Sequence, residues 1–290
     1  MSNTDQIQRL LFDDADVRGV ITSLDQSFKD ALAKHRYPVV VENILGQMLA
    51  AVTILSTNLK FEAKLSLQAK GDGDISLLMA ECNQDNECRA VAQHADSVNP
   101  QQNFLELLGS GHLVITIDPA SGQRYQGFVP LERETLAQCL EDYFERSEQL
   151  KSKFMLAADE GRAAGFMLQA LPSSTKTPQQ WEHLSLLAQT LSEQELLSVE
   201  AELLLYRLFH EDKCRLFEPQ AISFRCDCSR ERSARALKLM GRDELDDIIH
   251  TQSVIEMGCQ FCNTNYQFYA EDIDAIFSAE NTGQDSKKVH

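Results

Sequence analysis

Four of the eight cysteines fall in two tight pairs near the C-terminus, and no other feature of the chain restricts its local structure as much. Cys226 and Cys228 stand in RCDCSRERSARA as C-x-C, and Cys259 and Cys262 stand in MGCQFCNTNY as C-x-x-C. A C-x-x-C loop reverses the chain once and points both sulfurs at one ion, while a C-x-C pair chelates with tighter geometry. One short helical passage over residues 231–249 separates the pairs, as in the two-plus-two layout of a zinc module. Asn263, directly after the second pair, tolerates the left-handed backbone that such a turn often needs. Cys226, Cys228, Cys259 and Cys262 are therefore the expected ligands of one zinc ion. Unrelated buried thiols are the plain alternative, since free cysteine is often just a small hydrophobe. A thioredoxin-like redox pair is another, although the expected βαβ pattern is missing.

Such a site would hold up more than its own ligands. About 60 residues make a marginal core, whereas zinc binding in small modules is worth on the order of 10–16 kcal/mol. Thiolates on zinc are also oxidisable, and vicinal pairs can end as disulfides. Structural clip and redox switch both fit, and spacing alone does not choose between them.

The rest of the chain does not need a covalent staple. With 290 residues, 43% of them hydrophobic, it can bury one or two proper cores. The beginning, MSNTDQIQRLLFDDADVRGVI, shows no basic n-region, apolar h-region or small-residue cleavage site. The densest apolar run, Ile44 to Leu55, is interrupted by Gln47 and Thr53 and reads as too short for a bilayer. The expectation is a cytoplasmic protein with no membrane segment, where clustered cysteines serve metal or redox chemistry. A formal charge of −17, from 27 basic and 44 acidic residues, repels nucleic acid and anionic membranes. A nucleic-acid-binding zinc protein is still a rival, because Arg225, Arg230, Arg232, Arg235 and Lys238 outnumber Asp227 and Glu231 locally. Asp243, Glu244, Asp246 and Asp247 follow at once and oppose it.

Upstream, the hydrophobic patterning is that of an α+β domain. Residues 40–55 read as a buried helix whose start is set by Pro38. Phe61, Ala63, Leu65, Leu67 and Ala69 alternate with polar residues in the period of a half-buried strand. GDGD at 71–74 and NQDN at 83–86 are turns between further strands, and PASG at 119–122 joins a similar hairpin. Residues 132–150 read as an amphipathic helix and AAGFMLQAL as a closing strand. LPSSTKTP, with Pro172 and Pro178, marks a boundary. Beyond it, helices are expected over 179–191 and 193–209, the second started by a capping box of Ser192 and Glu195. Its leucines cover more than one stripe, so it must dock on something. The domains read as an α+β core (1–172), a helical linker (173–221), a four-cysteine module (222–280) and a disordered tail (281–290).

The C-x-C-S-R-E-R run at 226–232 with G-C-x-x-C-N at 258–263 resembles the heat shock protein 33 family of redox-regulated molecular chaperones. LLFDDADVRG (10–19), LKFEAKLSLQAKGDG (59–73), GQRYQGFVPL (122–131) and LAQCLEDYFERSEQL (136–150) resemble it too, so the likeness runs over nearly the whole chain. The resemblance implies an ATP-independent holdase, not an enzyme, that is inactive when reduced and zinc-bound. It implies that oxidation joins Cys226 to Cys228 and Cys259 to Cys262, releases the zinc, unfolds the module and a metastable linker, and exposes a surface for unfolded proteins. It further implies a homodimer on activation. A thiol-disulfide oxidoreductase is the alternative, which would turn over a dithiol substrate while keeping its fold.

The remaining motifs are bland. Gly71 and Gly73, like Gly109 and Gly111, lack the context of a phosphate loop, and neither H-E-x-x-H nor G-x-S-x-G occurs. Cys82 and Cys88 flank a turn and read as free buried thiols, and no switch role falls on them, on Cys139 or on Cys214. His250 reads as a bystander, because four thiolates already complete a tetrahedron.

Overall fold

The structure is a computed structural model that describes residues 5–59, 61–172 and 178–278. The chain divides into two compact units, Met1–Arg225 and Cys226–His290. In the first, β1 (Gln6–Phe12) and β2 (Val17–Leu24) lead through α1 (Gln26–Leu32) into α2 (Val39–Ser56). There follow β3 (Ala63–Gly71), β4 (Ile75–Asn83), β5 (Glu87–His94), α3 (Phe104–Leu108), β6 (Gly111–Pro119), β7 (Tyr125–Pro130), α4 (Leu136–Ser147), β8 (Ser152–Asp159) and β9 (Arg162–Ala170). After the segment 173–177, α5 (Pro178–Gln189), α6 (Glu193–Ser198) and α7 (Ala201–Phe209) precede three very short strands, β10 (Cys214–Leu216), β11 (Gln220–Ala221) and β12 (Ser223–Phe224).

Two six-stranded sheets result. The first runs β10-β1-β2-β9-β8 with β11 also on β1, and the second runs β12-β5-β4-β3-β6-β7. α2 packs against strands of both sheets. Pro38 caps it with φ −60° and ψ 146°, so the proline sets the helix start as expected. A side chain at Gly46 would put its Cβ 2.6 Å from the Ala158 Cβ, so glycine is what lets α2 approach β8. The helix containing the apolar run is longer than the run itself. At 18 residues it is long and apolar enough to cross a membrane by length and composition, but 72% of it is buried within the protein. Its place in the core, not a shortfall in length, accounts for its composition.

β3 shows the expected alternation, with Ala63, Leu65, Leu67 and Ala69 buried. Phe61 is not part of it; it precedes the strand and is 57% exposed. The helix expected over 132–150 is shorter, because the Thr135 side chain accepts from the Gln138 N–H and so caps α4 there. The helix expected over 193–209 is broken in two. The Ser192–Glu195 capping box forms, yet Val199 is extended at φ −99° and ψ 133°, and α7 restarts after Glu200. The break re-aims the chain so that Leu196 on one piece and Leu204, Leu205 and Phe209 on the other all face the first sheet. The docking that the leucine-rich pattern demanded is therefore observed: these side chains, with Leu184 and Ala188, cover Leu10, Phe12, Val17, Ile21, Phe166 and Leu168. Phe209 meets Phe12 edge-on at 5.1 Å between ring centroids.

The second unit contains α8 (Arg230–Lys238), α9 (Arg242–Gln252), the antiparallel hairpin of β13 (Ile255–Gly258) and β14 (Asn265–Phe268), and α10 (Ala270–Ser278). The single helical passage expected over 231–249 is thus two helices, divided where Gly241 takes φ +94°. Among the described residues, Leu237, Leu245, Ile255, Phe268 and Ile273 make a core of five buried apolar side chains. The tail expected over 281–290 lies outside the described residues.

Candidate metal centre

Two local structures deliver the four sulfurs. Cys228 directly precedes Ser229, whose side chain accepts from the Arg232 N–H and fixes the start of α8. Cys259 and Cys262 lie on the loop of the β13–β14 hairpin. That loop is closed by hydrogen bonds from the Cys259 N–H to the Thr264 carbonyl (2.9 Å) and from the Asn263 N–H to the Cys259 carbonyl (2.8 Å). Asn263 takes φ +56°, the left-handed backbone expected of it.

The Cys226 and Cys259 sulfurs are 3.6 Å apart and those of Cys228 and Cys262 are 3.3 Å apart. All four lie within 4.8 Å of one another, and among the described residues this is the one cluster of His, Cys, Asp or Glu close enough to hold a metal ion. A tetrahedron with metal–sulfur bonds of about 2.3 Å has sulfur–sulfur edges of about 3.8 Å, so the donor set fits a zinc-sized ion. All four of these cysteines are half-buried, as a site with limited solvent access requires.

Two side chains that spacing did not single out touch the sulfurs. The Tyr266 hydroxyl donates to Cys228 Sγ at 3.2 Å, and Thr264 Oγ1 lies 3.2 Å from Cys262 Sγ. Both are encoded in CNTNY, immediately after the second pair, but no period distinguishes them. The cluster holds its protons unequally. Burial pushes Cys226 up to about 12 and also raises Cys228. At Cys262 burial acts the same way, but the hydrogen bonds of Thr264 and the neighbouring sulfurs outweigh it and bring the thiol down to about 6. The bond to Cys228 pushes Tyr266 up to about 12.

The other cysteines are in the first unit. Cys82 and Cys88 stand directly opposite each other on β4 and β5, both buried and free, and burial raises both thiols. Cys139 is buried in α4 and Cys214 begins β10. His250 is exposed on α9. The arginines of the local basic stretch are largely matched by carboxylates: Arg225 by Glu87, Arg230 by Asp272 and Arg232 by Asp227. That matching removes much of the basic face a nucleic-acid reader would need.

Comparison with known proteins agrees with this geometry. The chain matches the family described as Hsp33 protein over residues 5–269. The 33 kDa chaperonin of Pseudomonas aeruginosa is 45% identical over 297 aligned positions, covering 100% of both chains. That of Shewanella woodyi is 45% identical over 274, covering 94% of this chain and 96% of its own. The crystal structure of the 33 kDa chaperonin, or heat shock protein 33 homolog, of Thermotoga maritima has the same fold. Its TM-score is 0.84 at 23% identity, over 96% of this chain and 99% of that one.

Proposed function

The chain belongs to the Hsp33 family, and on that premise we propose that it is an ATP-independent molecular chaperone switched on by oxidation of Cys226, Cys228, Cys259 and Cys262. The observation that carries the reading is the convergence of these four sulfurs within 4.8 Å in a unit whose described residues bury five apolar side chains. One zinc per chain, when bound, supplies the positive charge that keeps four thiolates together and links the hairpin to the start of α8.

Oxidation removes the ligands. In each pair one thiolate attacks a peroxide oxygen, the O–O bond breaks, and a sulfenic acid forms. The second thiolate then attacks that sulfur, and hydroxide leaves as water. Per pair, two thiols and one hydrogen peroxide give one disulfide and two waters, Cys226 with Cys228 and Cys259 with Cys262. A disulfide sulfur is a poor donor, so the module loses its cross-link and, with so small a core, its fold. The segment that ends at Arg225 is continuous with Cys226, and in this reading 173–221 is a metastable linker between a core domain (1–172) and the zinc redox module (222–280). Once the linker is released, the apolar faces of α6, α7 and the first sheet bind unfolded client proteins and keep them from aggregating. A homodimer in the active state, a cytoplasmic location and the absence of enzymatic turnover belong to the same proposal.

The test measures zinc, free thiols and suppression of aggregation of a chemically denatured protein on one sample, before and after peroxide with mild heating. Loss of one zinc and four thiols together with gain of activity is expected. Equal holding activity in both states would leave the quartet as a structural clip. Catalytic turnover of a dithiol by the folded protein would mark an oxidoreductase.

A further inference from the structure

The three short strands after α7 form a strap along two sheet edges. β10 and β11 both lie antiparallel on β1, pairing Leu10 with Leu216, Phe12 with Cys214 and Gln6 with Ala221. β12 then crosses to the second sheet and lies parallel on β5. Between the strands the backbone bonds continue, from the Asp13 N–H to the Lys213 carbonyl, the Phe217 N–H to the Arg9 carbonyl and the Ile222 N–H to the Asp5 carbonyl. Without residues 213–225, β1 would be a bare edge of the first sheet.

The strap is bound as an extended peptide is bound. Alternate side chains, Cys214 and Leu216, pack on the apolar layer beside β1, while Arg215 between them points outward. The outward cations meet a rim of carboxylates: Arg215 lies 2.7 Å from Asp13 and Lys213 lies 3.0 Å from Asp14. Sockets for alternate apolar side chains, a row of backbone donors and acceptors taken up by the strap, and an acidic rim are the parts of a strand-addition site. An exposed edge of this kind is a template for another chain, which proteins ordinarily keep covered.

The geometry points to the β1 edge as a docking site for extended, basic segments of unfolded polypeptide with apolar residues at alternate positions, bound as an added antiparallel strand in place of the strap. The inference rests on the reading that oxidation frees the linker, and extends that release to the strap at its C-terminal end. It adds that capture uses backbone hydrogen bonds and register as well as bare apolar surface. The formal charge of −17 favours a basic occupant over an acidic one.

The probe is a synthetic peptide of residues 213–224 with Ser in place of Cys214, offered to the full-length protein. It should bind the oxidised protein, compete with a denatured client, and bind the reduced protein poorly, because there the intact strap competes at high effective concentration. Methylating the peptide nitrogens of Phe217 and Ile222 removes two donors and should weaken binding about tenfold. Glu in place of both Lys213 and Arg215 in the peptide should weaken it further and reverse its salt dependence, because added salt then screens a repulsion. Equal binding of the methylated peptide, or no binding by oxidised protein that does hold a denatured client, would overturn strand addition while leaving the chaperone reading intact. Oxidised protein that holds no client at all would instead remove the premise.

Discussion

Two helical layers pack on the two faces of the same sheet, and they are held differently. α2 is one uninterrupted helix of 18 residues, 13 of them buried, and its neighbours are strands of both sheets. It cannot leave without dismantling the core between them. The layer on the opposite face is three pieces, α5, α6 and α7, held by one sheet alone. Its burial is partial: Leu186, Leu203 and Tyr206 are 64%, 48% and 67% exposed. Both layers satisfy their apolar residues, but removal of the second alone would leave the core between the sheets in place. Local stability within one protein ranges from near zero up to the global value, and elements that move come from the low end.

The largest expected effect comes from the metal, because it tests whether the outer layer depends on the small unit. Ser at any one of the four cysteines should sharply lower zinc content and unfold that unit, which stands to lose binding energy on the order of 10–16 kcal/mol. Hydrogen exchange then separates the layers: amides of α6 and α7 should lose protection while those of α2 and β3 keep theirs. Full zinc in all four variants would remove the ligand assignment. Protection of α6 and α7 that survives metal loss would make the two layers equivalent.

Core truncations sharpen the contrast at a smaller scale. Leu49 and Leu204 are both almost fully buried, at 0% and 2% exposure. Leu→Ala at either should cost about 2–5 kcal/mol. Leu49→Ala should lower the midpoint of global unfolding and leave the reduced protein inactive. Leu204→Ala should spare the core and give the reduced protein measurable holding activity without oxidant. Leu208, four positions further along α7, is only half-buried, so its truncation should do less. If both Leu→Ala variants simply unfold at a lower temperature and neither holds a client, the outer layer is no switch.

The sequence was most legible where one physical constraint acted alone. The cysteine pairs were read because metal chelation fixes spacing, α2 because Pro38 and a long apolar run leave few options, and β3 because it is covered on one face only. β2 carried no alternation to read, since it is buried on both faces between the two helical layers, with Val20 and Leu24 on one side and Val17 and Ile21 on the other. The strap is opaque for another reason. Its strands are two or three residues long and owe their existence to partners far away in the chain, on β1 for β10 and β11 and on β5 for β12. The break at Val199 has no proline or glycine to announce it; local pattern favours one helix, and the shape of the sheet beneath overrides it.

Helix capping gives a finer comparison, because α6 carries its own start signal and α2 relies on a proline. In the Ser192–Glu195 box the Ser192 side chain accepts from the Glu195 N–H at 3.3 Å, and a Glu195 oxygen accepts from the Ser192 hydroxyl at 2.7 Å. Ser192→Ala should cost about 0.5–2 kcal/mol and raise exchange in α6 with no change in α2.

The smallest effect is one of pH. The Ser192 hydroxyl, then its backbone N–H, hold Glu195 below its ordinary value of 4.5, with Arg207 across the break adding to the pull. A carboxyl whose folded-state pKa is depressed contributes its stability in full above the ordinary value, and loses it as pH falls through the depressed one. Protection of α6 in the reduced protein should therefore be flat from neutral pH down to about the ordinary carboxylate range and decline below it. Glu195→Gln keeps the reciprocal cap but cannot titrate, so its α6 protection should decline less over the same acid range. Other carboxylates titrate there too, and the difference between the two proteins, not either curve, is the quantity to read. α2 has no charged cap, and its protection relative to the rest of the core should be identical in both. A difference at α2 as large as that at α6 would mean that the outer layer and the core open together, and that the division between them is not one of stability.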